Sequence, residues 1–224
     1  MKILAVSDIE LDWIYNPTIT TRFSDVDLVI ACGDLPYYYL EYIISSLNRP
    51  LYYVRGNHAP RFQEEGITSS RTYPWGGIDL HRRVKRDESG LLVAGIEGSI
   101  RYNSDHCQYS QLEMWRFILG LIPGLLLNRI RYGRFLDIFV THAPPWKIHD
   151  QDDLPHQGIK AFQWFIKVFQ PAFHLHGHIH IYNFRNRVET LVGNTWVVNT
   201  YGYRQIEYYF PWERNSKPKQ AGGI

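Results

Sequence analysis

Short runs of apolar residues, each closed by polar ones, set the rhythm of the chain. Residues 2–7 (Lys-Ile-Leu-Ala-Val-Ser) predict a buried strand and end in Asp8-Ile9-Glu10. Residues 27–32 repeat the pattern and end in Gly33-Asp34. Residues 51–54 do so a third time and end in Arg55-Gly56-Asn57-His58. Between the second and third runs, residues 36–47 read as a helix entered through Pro36. Strand, connection and strand in this order predict a βαβ series, in which ligands collect beyond the carboxyl ends of the strands.

The middle of the chain is less regular. Gly76-Gly77 precedes an expected strand over 78–84, and a further one over 91–96 ends in Glu97-Gly98-Ser99. Residues 112–130 are mostly apolar, interrupted by Arg116 and by Pro123-Gly124. They predict a buried helix pair broken at Pro123, with attachment to a membrane surface or a partner as the alternative. The continuous apolar part is too short to span a bilayer. A strand over 135–140 delivers Thr141-His142-Ala143-Pro144-Pro145, and residues 158–169 have helical periodicity. The strand that follows ends in His-Gly-His-Ile-His. Expected strands over 181–188, 195–199 and 205–209 predict an antiparallel second sheet, and residues 213–224 a frayed tail.

Composition narrows the class. With 224 residues, 45% hydrophobic and 21% charged, the chain has material for one large domain. A net charge of +2 and one short basic cluster, Arg82-Arg83-Val84-Lys85-Arg86, give no strong nucleic-acid signal. Two cysteines give no disulfide framework, and the opening residues do not form a signal peptide, so a cytoplasmic protein is expected.

Candidate chemistry lies at five strand ends: Asp8 and Glu10, Asp34, Asn57 and His58, His142, and His178 with His180. Imidazole, carboxylate and amide oxygen are ligands for divalent transition metals. His174 and His176 lie inside a strand and read as packing residues. His81, His106, His149 and His156 lack ligand spacing, and Asp150, Asp152 and Asp153 read as a solvated loop.

With these blocks in order, the chain resembles the calcineurin-like metallophosphoesterases. Their pattern of Asp-x-His, Gly-Asp, Gly-Asn-His-Asp/Glu, a lone His and Gly-His-x-His reads here Asp8-Ile9-Glu10, Gly33-Asp34, Gly56-Asn57-His58-Ala59, His142 and Gly177-His178-Ile179-His180. The resemblance implies an α/β fold of two packed mixed β-sheets flanked by helices, a four-layer sandwich, as a single domain over 1–212. It implies two divalent cations. The first would take Asp8, the residue at 10, Asp34 and His180. The second would take Asp34, Asn57, His142 and His178, with Asp34 bridging. Hydroxide between the cations would attack phosphorus, and His58 would serve the leaving oxygen.

Two positions depart from the family pattern. Glu10 replaces a histidine, and its harder oxygen favours Mn²⁺ or Mg²⁺ over Fe or Zn²⁺. Ala59 replaces the acid after His58, which removes a possible orienting partner. Arg55 and Arg101 are candidates for the substrate phosphate. The expected activity is hydrolysis of a phosphomonoester or diester. A non-catalytic metal-binding scaffold is the alternative, and a nuclease is disfavoured by the charge.

Overall fold

The computed structural model describes residues 1–59, 63–65, 69–181 and 188–214, with only the backbone of 63–65, 69–71 and 214. In chain order the strands are β1 (Lys2–Ser7), β2 (Leu28–Ala31), β3 (Leu51–Tyr53), β4 (Gln63–Glu65), β5 (Ser69–Arg71), β6 (Gly77–Asp79), β7 (Arg83–Arg86), β8 (Leu92–Ile96), β9 (Ser99–Ile100), β10 (Gln108–Tyr109), β11 (Ile138–Thr141), β12 (Phe173–His176), β13 (Glu189–Val192), β14 (Thr195–Asn199) and β15 (Gly202–Glu207). The helices are α1 (Ile19–Arg22), α2 (Tyr37–Leu47), α3 (Gln111–Tyr132), α4 (Lys160–Phe169) and α5 (Pro211–Arg214).

Two sheets carry the fold. One has the order β15-β1-β2-β3-β6 and the other β13-β14-β12-β11-β8-β7. β1, β2 and β3 pair in parallel, as do β8, β11, β12 and β14. β1, β2, β8 and β11 are buried on both faces, which is why they read as unbroken apolar runs rather than alternations. Ile3, Ile30, Val93, Ile138 and Leu175 pack between the sheets. The opposite faces meet helices: Leu4, Val29 and Leu51 against α1 and α2, and Leu92, Phe139 and Val197 against α3 and α4. The result is helix, sheet, sheet, helix, the four-layer α/β arrangement expected from the motifs.

The tail departs from expectation. It does not form a sheet of its own but completes both. β14 pairs in parallel with β12 and antiparallel with β13, whereas β15 crosses to lie antiparallel to β1, Lys2 opposite Glu207. Of the strand expected over 181–188, residues 182–187 lie outside the described residues, as do 215–224 of the expected tail. The stretch expected as one strand over 78–84 is two, β6 and β7, in different sheets.

The expected break at Pro123 is also absent. α3 is one helix of 22 residues. Its start is fixed by a capping box, in which Ser110 Oγ accepts the Glu113 N–H and Glu113 accepts the Ser110 N–H. Gly133, at φ 75°, ends it in the left-handed conformation. Pro123 is exposed, and Leu119, whose carbonyl would have bonded to residue 123, is half exposed. That face is open to solvent, which can satisfy the freed carbonyl, so the helix continues through the proline.

Candidate metal centre

The site is assembled where loops leave their strands. Asp8 follows β1, Asp34 lies beyond β2, Asn57 and His58 beyond β3, His142 follows β11 and His178 lies beyond β12. Asp8 (φ 67°), Asp34 (φ 55°) and His178 (φ 68°) adopt left-handed backbone that side chains with a Cβ rarely take. Such strain persists only where the surroundings enforce it, and it turns each side chain back toward a common point. Two glycines make room. A Cβ on Gly33 would stand 2.5 Å from His142 Nδ1, and one on Gly56 would stand 2.7 Å from His142 Cε1.

Ligand atoms of Asp34, His142 and His178 lie within 4.8 Å of one another. Each imidazole is turned by a backbone carbonyl. His142 Nδ1–H donates to the Cys32 carbonyl at 2.8 Å, which leaves Nε2 facing Asp34 Oδ2 (3.1 Å) and Asn57 Oδ1 (2.9 Å). His178 Nε2–H donates to the Pro155 carbonyl at 2.8 Å and leaves Nδ1 for the cluster. Asn57 is oriented in turn, because its Nδ2 donates to the Tyr102 hydroxyl at 3.0 Å. Carbonyls that fix the tautomer of a ligating histidine are the usual second layer of a metal site.

The electrostatics agree. Burial would push His142 down, but the Asp34 carboxylate outweighs it and raises His142 to about 9. Burial would raise Asp34, yet His142 and the His58 N–H at 2.8 Å hold it to about 2. Burial, reinforced by His142, lowers His178 to about 3, so it is a neutral ligand. A proton on His142 Nε2 and a cation therefore compete for one lone pair. The donor set of nitrogen, carboxylate and amide oxygen suits a divalent transition metal, and these residues fit one.

The other predicted ligands are placed differently. Asp8 stands beside the cluster, its carboxylate accepting the His178 N–H at 2.9 and 3.1 Å, and burial pushes its carboxyl up. Glu10 is exposed and accepts a hydrogen bond from the Tyr38 hydroxyl at 2.5 Å. The exposed His180 ring packs on Tyr201, with centroids 4.9 Å apart. A cleft of about 540 Å³ lined by Asp8, Glu10, Asp34, Pro36 and His58 opens in front of these groups.

His58 is exposed at that cleft, and its Nε2 lies 3.5 Å from the Tyr102 hydroxyl. Ala59 offers it nothing, but the loop between β9 and β10 does: Tyr102 faces His58, and His106 donates to the Ala59 carbonyl at 2.6 Å. No motif marked Tyr102, which lies 45 residues from Asn57 on an irregular loop. The two arginines are met by carboxylates of the protein. Arg55 makes a two-pronged pair with buried Glu97 (2.7 and 3.1 Å), and Arg101 pairs with Glu113 (3.0 and 3.2 Å). Despite the upward push of burial, Arg55, His81 and Tyr109 hold Glu97 below the usual carboxylate range. That network braces the loop, since Gly98 N–H donates to the Arg55 carbonyl. Both arginines, candidates for a substrate phosphate, are thus engaged by carboxylates of the protein in this structure.

His174, buried against Phe162 of α4, is bonded to Thr141, and buried His176 is bonded to His149. Cys32 and Cys107 are both free and buried.

An α/β sandwich of two parallel-rich sheets with metal-type residues at their strand ends is the frame of a metallophosphoesterase. The chain belongs to that family: the model for calcineurin-like phosphoesterases matches residues 1–182. Among solved structures it is similar to TT1561 of Thermus thermophilus, with TM-score 0.58 at 16% identity over 90% of this chain and 89% of that one. It is also similar to GAP50, the anchor in the inner membrane complex of Plasmodium, with TM-score 0.50 at 12% identity over 89% and 70%. A further crystal structure matches with TM-score 0.62 at 17% identity over 92% and 94%. At these identities the likeness is one of fold. None of the curated proteins matches significantly.

Proposed function

We propose that this protein is a metal-dependent phosphoesterase that hydrolyses a phosphomonoester or diester, with His58 serving the leaving oxygen. The observation that carries the reading is the convergence of Asp34, His142 and His178 within 4.8 Å, with Asn57 Oδ1 against His142 Nε2. The chemistry that divalent cations would supply there is positive charge for the phosphoryl oxygens and a lowered pKa for the attacking water. The chain does the rest. Asp34, Asn57, His142 and His178 would hold one cation; Asp8, Glu10, Asp34 and His180 would hold a second once Glu10 and His180 turn inward. Asp34 is shared, and Mn²⁺ suits the oxygen-rich second set best. Tyr102 orients His58, which donates a proton to the departing alkoxide from the open side of the cleft.

A second reading, a binding scaffold that keeps one cation, is favoured by the engagement of Glu10 with Tyr38 and of His180 with Tyr201. The deciding experiment is reconstitution with Mn²⁺, metal content measured on the same sample, and a panel of phosphomonoesters and diesters. Turnover that rises with metal content supports the enzyme. Full metal content without hydrolysis of any ester would favour the scaffold.

A further inference from the structure

Apolar surface is not confined to the buried side of α3. With about 100° per residue, Met114, Ile118, Leu121 and Leu125 form the stripe that enters the core. Leu112, Leu119, Leu126 and Ile130 form a second stripe on the opposite side. They are exposed, Ile130 by 82% and Leu112 by 61%, with Leu119 and Leu126 at 50%. Exposed Pro123 lies on the same ridge. From Leu112 to Ile130 the ridge runs about 27 Å. A helix apolar on both faces has a second surface to cover.

The charges around the ridge say what covers it. On α3 itself Arg116, Arg129 and Arg131 are exposed, and the only acid is Glu113 in the first turn, held by Ser110 and Arg101. Along one flank Arg82 and Arg86 lie over the α3 rings of Phe117 and Tyr132, each 5.0 Å from the ring centre. Along the other, α4 presents Lys160 and Lys167 and contains no acidic residue. This layer concentrates cations that the whole chain, at a net charge of +2, does not suggest.

We infer that α3 is a peripheral docking face for an anionic lipid bilayer, its leucine ridge entering the headgroup region and its arginines and lysines meeting lipid phosphates. The ridge is long and the flanks basic, the arrangement of helices that lie in the plane of a membrane. No helix among the described residues is long and apolar enough to cross one, so contact is by the outer face alone. A second copy of the chain is disfavoured, because an isologous dimer over α3 would set these cations against one another with only Glu113, already held by Ser110 and Arg101, among them.

The test uses the full chain and vesicles of phosphatidylcholine, with or without about one third phosphatidylglycerol, by co-sedimentation at low and high salt, with sedimentation velocity on the protein alone. The expected result is partition onto anionic vesicles at least about tenfold stronger than onto neutral ones, and largely released by high salt. Leu119→Ser with Leu126→Ser, both solvent-facing, should keep the melting temperature and lose about tenfold of that binding. Arg129→Gln with Arg131→Gln should lose a similar factor. Absence of binding to anionic vesicles, or binding untouched by the leucine changes, would overturn the inference. So would a dimer in solution that the leucine changes dissociate. None of these outcomes depends on metal or on hydrolysis.

Discussion

The two halves of the proposed metal centre differ in how their candidate ligands are held. Asn57, His142 and His178 are buried, and each is bonded from behind by a carbonyl or a hydroxyl, with Asp34 drawn in among them. Glu10 and His180 are exposed and lie against tyrosines. A ligand fixed by the fold loses little freedom when a cation arrives, whereas one drawn from the surface must give up both its freedom and its present partner. If the proposed pair of sites forms, they should be of unequal strength, the buried one filling first.

The largest effect that could break this contrast lies at the shared residue. Asp34→Asn should weaken both binding steps, by about 100-fold or more at the preassembled one, in calorimetric titrations with Mn²⁺; two-step binding at wild-type affinity would remove Asp34 from the bridge. His58→Ala should keep both steps and slow hydrolysis of an alkyl phosphate by about 10²–10⁴-fold, and of a nitrophenyl ester by less. Tyr102→Phe should show the same leaving-group dependence on a smaller scale. Equal losses on both esters would deny His58 the role of acid.

Acidity sharpens the contrast next. With His142 raised to about 9, its proton must leave before a cation binds. The first binding step should therefore tighten with rising pH, by up to about tenfold per unit, and level off above pH 9. Affinity flat between pH 6.5 and 8.5 would contradict the competition at Nε2. The smallest effect concerns the exposed half. Tyr38→Phe frees Glu10 and should tighten the second step by about two- to fivefold, while Glu10→Ala weakens it and leaves the first unchanged. If Glu10→Ala changes neither step, Glu10 is no ligand.

The buried half was also the legible half. Its residues close apolar strands whose two-sided burial writes an unbroken pattern into the chain, and the glycines beside them mark where the loops crowd together. What surface side chains do was not legible: nothing beside Glu10 announces Tyr38 as its partner, and nothing on the loop around Tyr102 announces His58. Pro123 misled because its effect depends on which face of α3 it occupies. The tail misled because β14 and β15 read alike, although one joins β12 and the other joins β1, about 200 residues away in sequence.

That last pairing bears on how the molecule comes into being. Every proposed ligand lies between residues 8 and 180, yet β1 and β12, the strands that lead to Asp8 and His178, each take a neighbour from residues 195–207. Thr200 adds a hydroxyl contact to Ser7 at 3.0 Å and donates to the His176 carbonyl at 2.9 Å. During synthesis the first strand therefore waits for residues 202–207 before its sheet can close, a contact order that slows folding and leaves β1 an exposed edge in the interval. A nascent chain released at residue 182 would contain every proposed ligand and still lack the strands that flank two of them.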